Sequence, residues 1–68
     1  MDLKGRVGKA IKQARVDKGM TMRELASKIG VQSTNSISRY ESGRYNLSLD
    51  LIERIANGIG VKVEVLVR

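Results

Sequence analysis

Apolar side chains recur along this 68-residue chain at steps of three and four, until the last eight residues, where the step becomes two. Val7, Ile11 and Ala14 carry the helical spacing through a first segment, about residues 3 to 18. Lys18-Gly19 closes it with a cation in the last turn and a glycine beyond. Gly5 and Gly8 weaken its first turns and leave its start open. A second segment opens at TMRE, a capping box in which Thr21 caps and Glu24 reaches back. Met22, Leu25, Ala26 and Ile29 form its stripe, and Gly30 ends it as a left-handed cap. A third segment begins at Ser33 or Thr34, turns Ile37 and Tyr40 inward, and is closed by Gly43. A fourth, about Leu49 to Ile59, follows Ser48, carries Asp50 in its first turn, and is expected to bury Leu49, Ile52, Ile55, Ala56 and Ile59. Gly58 within it signals either the close approach of another backbone or an early helix end.

The last segment, VKVEVLVR, puts Val61, Val63, Val65 and Val67 on one face and Lys62, Glu64, Leu66 and Arg68 on the other. Four β-branched residues at period two predict a strand over about 61–67. A single strand in a helical chain leaves a row of N–H and C=O groups unpaired. The same strand from a second copy, antiparallel across a two-fold axis, would satisfy them. The plainer reading is a short extension whose valines pack on the helices.

Composition narrows the function class. A domain this small buries only about 60% of its unfolded surface. With no cysteine and no histidine, neither a disulfide nor a thiolate metal site can staple it, and association into a homodimer is the expected source of extra stability. The same two absences, without paired carboxylates at a useful spacing, leave little for catalysis, so no enzyme, metal or cofactor is expected. No apolar run approaches transmembrane length, and the N-terminus is too charged for a signal peptide, so a cytoplasmic, nucleoid-associated protein with no membrane partner is expected. The net charge is +6 and the pI about 10.2. Lys4, Arg6, Lys9, Lys12, Arg15, Lys18, Arg23 and Lys28 lie in the first thirty residues against Asp2, Asp17 and Glu24. That bias favours an anionic partner, although a solvated basic surface explains it too.

Thr21–Gly30, the turn Val31–Gln32 and about Ser33–Ser42 make two short helices joined tightly. This is the order of a helix-turn-helix, whose second helix enters the DNA major groove. The stretch GMTMRELASKIGVQSTNSISRYESGR resembles the helix-turn-helix of the Cro and lambda-repressor (XRE) family. The family's Leu-Ala pair is Leu25-Ala26 here, its Gly-Val turn is Gly30-Val31, its recognition-helix Ile is Ile37, and its closing Glu-x-Gly is Glu41-Ser42-Gly43. Gly8, Ile11, Arg15 and the segment SLDLIERIANGIGV extend the likeness to about residues 5 to 61. The resemblance implies an all-α, compact four-helix lambda-repressor-like domain over 1–68, with the helix-turn-helix at about 21–42. To this the period-two tail adds a C-terminal β-strand at about 61–67 that pairs across the homodimer.

The same resemblance assigns roles. Thr34, Asn35, Ser36, Ser38 and Arg39 match the exposed, base-reading positions of the recognition helix. Arg39 suits guanine O6 and N7, and Asn35 suits adenine N6 and N7. Arg44, Tyr45 and Asn46 fall in the backbone-contacting loop, and Thr21, Arg23 and Ser33 join them as phosphate contacts at the helix starts. Arg15 and Glu41 resemble a structural ion pair between the first and third helices. Three features depart from the family pattern. Gly30 to Ile37 is one residue longer than usual, Met22 replaces a phosphate-holding Gln, and a strand replaces the short final helix of phage repressors. The strand is like that of antitoxin-type repressors. The expected function is sequence-specific binding of double-stranded DNA by a homodimer that represses transcription at a near-palindrome. The alternative is an antitoxin that holds a toxin or other regulatory protein and regulates itself, with Leu66 either touching that partner or covering a helix.

Overall fold

Asp2 starts the first helix: its Oδ1 accepts the Gly5 N–H at 2.9 Å, the bond that the glycine-rich opening needs from outside itself. The computed structural model describes residues 2–67. Among these the chain forms α1 (Leu3–Asp17), α2 (Met22–Ile29), α3 (Thr34–Glu41), α4 (Leu49–Ile59) and α5 (Val63–Val67), with no strand. The capping box predicted at TMRE is present, Ser33 caps α3, and Ser48 caps α4 through the Leu51 N–H at 3.1 Å. Gly30 and Gly60 end α2 and α4 in the left-handed region, with φ of 78° and 91°.

α1 packs on α3, α4 and α5, α2 on α3 and α4, and α4 on α5. Each helix sends one large side chain fully into the shared centre: Ile11, Leu25, Ile37, Ile55 and Leu66. Two glycines set the crossings. A Cβ on Gly8 would lie 2.9 Å from the Gly43 nitrogen and 3.0 Å from the Glu41 and Tyr40 carbonyl oxygens, so α1 meets the end of α3 backbone to backbone. A Cβ on Gly58 would lie 2.6 Å from Ile29 Cγ2, so this glycine marks a close approach, of α2 side chains rather than of a backbone, and α4 runs through it.

The tail corrects the sequence reading. Val61–Val67 is not a dimer strand; residues 63–67 form a helix. A lone strand would leave its backbone groups unpaired, whereas a helical turn bonds itself, as Val65 N–H does to Lys62 O at 3.0 Å. The helical step also brings Val63 and Leu66, three apart, onto the core. Leu66, assigned outward on the strand, is 1% exposed, while Val65 and Val67, assigned inward, are 37% exposed. Val61 and Val63 are half-buried, and Arg68 lies outside the described residues. The third departure from the XRE pattern therefore disappears, because the chain has its short final helix. Leu49, expected in the core, is 79% exposed: as the first residue of α4 it precedes the turn that packs, and Leu51 and Ile52 turn inward instead. No helix is long and apolar enough to cross a membrane among the described residues.

Candidate nucleic-acid interface

The third segment is a helix of two turns, and its faces follow from the angular step of 100° per residue. Ile37 is fully buried and Tyr40 half-buried against the core, which leaves Thr34, Asn35, Ser38 and Arg39 on one exposed face. The steps 34 to 38 and 35 to 39 make these neighbours along the helix. Ser36 was expected among them. It is half-buried, because it sits next to Ile37 on the flank that turns toward the core.

The start of this helix settles how the extra residue in the turn is accommodated. Gly30 leaves α2, with its N–H on Ser27 O at 3.3 Å and the Val31 N–H on Ala26 O at 3.0 Å. Val31 packs against the core, Gln32 is exposed, and Ser33 is the cap: its Oγ accepts the Asn35 N–H at 3.0 Å. Thr34 is thus the first helical residue, and the hydroxyl hydrogen of Ser33 remains a donor for an external oxygen.

The start of α2 is a second donor cluster. Thr21 Oγ1 accepts the Glu24 N–H at 3.0 Å, and Glu24 Oε1 accepts the Thr21 N–H at 2.9 Å. The Met22 and Arg23 N–H groups belong to the helix's first turn and have no intrahelical acceptor. The Thr21 N–H, then the Thr21 side chain, hold the Glu24 carboxyl below its ordinary value of 4.5; desolvation opposes them, and Lys28 adds the least. Met22 is half-buried on the core, so it offers nothing to an anion. Exposed Arg23 lines an open groove between α2 and α3 with Ser27, Gln32, Ser33 and Thr34. Ser27 and Gln32 carried no role in the sequence reading. Their polarity was visible, but their convergence with Arg23 depends on the path of the turn.

Beyond α3 the chain is held by local bonds. The Ser42 hydroxyl donates to Arg39 O at 2.7 Å and accepts the Arg44 N–H at 3.2 Å. Gly43, at φ +80°, turns the loop against α1. The Tyr45 ring leans on Tyr40 with centroids 5.7 Å apart and planes at 58°. Arg44, Tyr45 and Asn46 are all exposed. Behind them Arg15 Nε donates to Glu41 Oε2 at 2.7 Å, Nη2 to Oε1 at 3.2 Å, and Nη1 to Met20 O at 2.7 Å. This bidentate pair ties α1, the turn before α2, and the last residue of α3 together. The fold therefore brings a polar helix face, two helix starts and a polar loop to its surface over a fixed frame.

A family model described as helix-turn-helix matches residues 11–66. Among curated proteins the chain is 42% identical over 57 residues to multiprotein-bridging factor 1 of Candida albicans, covering 84% of this chain and 37% of that protein. It is 40% identical over 57 residues to endothelial differentiation-related factor 1 of Homo sapiens, covering 84% and 38%. The chain thus spans well under half the length of these relatives. Among solved structures the clp gene regulator ClgR of C. glutamicum superposes with a TM-score of 0.90 at 36% identity, over 97% of this chain and 86% of that one. The restriction-modification controller protein C.Esp1396I superposes at 0.85 with 33% identity, over 97% and 84%, and it has also been solved as a nucleoprotein complex.

Proposed function

Because the chain belongs to the helix-turn-helix family of the Cro and lambda-repressor (XRE) type, we propose that it binds double-stranded DNA as a homodimer and represses transcription at a near-palindromic operator. It would do so in the cytoplasm, at the nucleoid. The observation that carries this is the exposed face of α3, where Thr34, Asn35, Ser38 and Arg39 form a polar surface on a helix whose other face is anchored by Ile37. Arg39 takes the guanine edge and Asn35 the adenine edge, while Thr34 and Ser38 meet bases or the thymine methyl. Half-buried Ser36 contributes at the flank. Thr21, Arg23, Ser33, Arg44, Tyr45 and Asn46 supply phosphate contacts that fix the register. ClgR and C.Esp1396I, a gene regulator and a controller protein, support regulation as the outcome. Val65 and Val67, exposed on α5, offer apolar surface to a second copy. Two recognition helices would then lie about 34 Å apart, one turn of DNA. Arg39→Ala tests the reading: binding to the operator should weaken by about 1–3 kcal/mol and preference should relax at one base pair. A uniform loss across all sequences in a base-substitution panel would remove Arg39 from base reading.

A second reading is favoured by the curated relatives, whose name, multiprotein-bridging factor, describes proteins that join others. Here the domain would hold a protein partner, a toxin or another regulator, besides DNA. Leu66 is not the contact, since it covers α1 and α4 from within. Co-purification of a defined partner that leaves DNA affinity unchanged would favour this reading.

A further inference from the structure

The face proposed to read bases carries little of the charge that a DNA complex needs. Arg39 on α3 and Arg44 in the loop after it are its exposed cations, and over residues 31–68 five basic groups face four acids. Most of the net +6 lies in the first thirty residues, and α1 holds the largest share of it. Non-specific affinity for DNA scales with the number of phosphates neutralised. The position of α1 therefore matters.

Gly5 and Gly8 bring α1 against the loop that follows α3. The Gly5 Cα lies 2.8 Å from where a Gly43 Cβ would be, and a Cβ on Gly8 would meet the backbone of Tyr40, Glu41 and Gly43. Only a seam without side chains permits this contact. Lys4 precedes the seam and borders the same hollow as Tyr45 and Asn46. Lys9 follows Gly5 by four residues and Lys12 follows Gly8 by four, so each stands one turn along the seam. All three lysines are exposed. Among the described residues none of the three forms an ion pair: Asp2, which caps α1, takes the Gly5 N–H, and Asp17 accepts from Gln13 Nε2 at 2.8 Å.

We propose that the phosphate-contacting surface continues from the Ser42–Asn46 loop onto α1, where Lys4, Lys9 and Lys12 hold the DNA backbone outside the bases that α3 reads. The proposal rests on the DNA-binding reading and adds to it a sequence-independent flank contact. It explains why a recognition helix with a single arginine sits in a strongly basic chain. The occupant is a phosphodiester backbone because ammonium groups act as point charges without base-edge geometry.

The test measures binding to the selected operator as salt is varied, on duplexes ending at the operator and on duplexes extended beyond it. The proteins are wild type, a triple variant Lys4→Gln, Lys9→Gln, Lys12→Gln, and a charge-matched control Lys28→Gln, Arg54→Gln, Lys62→Gln. All substituted positions are exposed, and circular dichroism checks that each variant folds. The slope of log affinity against log salt should become shallower by about one for each lysine that touches phosphate. The triple variant should also lose the gain from extended DNA, with base preference and the control's slope unchanged. An unaltered slope and flank dependence in the triple variant, or an equal change in the control, would overturn the proposal while leaving operator recognition intact. Wild-type protein that selects no operator would instead refute the function beneath it.

Discussion

Arg15 is a buried cation with three N–H donors directed at acceptors: two at the Glu41 carboxylate and one at Met20 O. Such a pair is weak evidence for stability as it stands, because both charges left water. Breaking it is another matter, since the Glu41 side chain is only 4% exposed and would keep an uncompensated charge. Arg15→Ala should therefore cost about 3–5 kcal/mol in urea unfolding at neutral pH, and an apolar pair at 15 and 41 should recover much of that loss. Glu24 gives a pH-dependent counterpart at the surface. Its folded pKa lies below the ordinary 4.5, so its contribution to stability is complete above that value and is lost as pH falls through the lower folded value. Glu24→Gln should lower the melting temperature at pH 7 and flatten the fall of stability in acid, as thermal melts over a pH series would show.

At the scale of the element, four helices were legible because their signals are local. Thr21 and Glu24, Ser33, Ser48 with Asp50, and Gly30 each mark an end within a turn of where it occurs. The exposed face of α3 at 34, 35, 38 and 39 was legible for the same reason, since Ile37 fixes the inward direction of a two-turn helix. The half-burial of Ser36 was less legible: it lies four residues before Tyr40, on a flank whose exposure the packing partner decides. The tail was not legible. Alternating valines satisfy a strand, but Val63 and Leu66 at a spacing of three satisfy a helix equally well over five residues. The choice fell to what the rest of the chain offered, which was a gap over α1 and α4 for Leu66 and no partner edge for a strand. The two readings exchange the important side chain. Leu66→Ala should cost about 2–5 kcal/mol in thermal or urea unfolding, and Val67→Ala no more than about 1 kcal/mol. A tail that loses more from Val67→Ala than from Leu66→Ala would contradict the helical account.

For the whole molecule, recognition and charge are divided. α3 presents the hydrogen-bonding groups proposed to distinguish base pairs, the helix starts and the Ser42–Asn46 loop present donors, and α1 carries the largest share of the net positive charge. Each chain presents one candidate recognition helix, so the proposed near-palindrome would be read by two copies. Selection of bound sequences from random duplex DNA, with the mass of the selected complex determined, tests this directly. The account predicts a near-palindromic consensus with half-sites about one helical turn apart, bound by two chains, with affinity falling steeply as salt rises. Failure to enrich any sequence at low salt would contradict it.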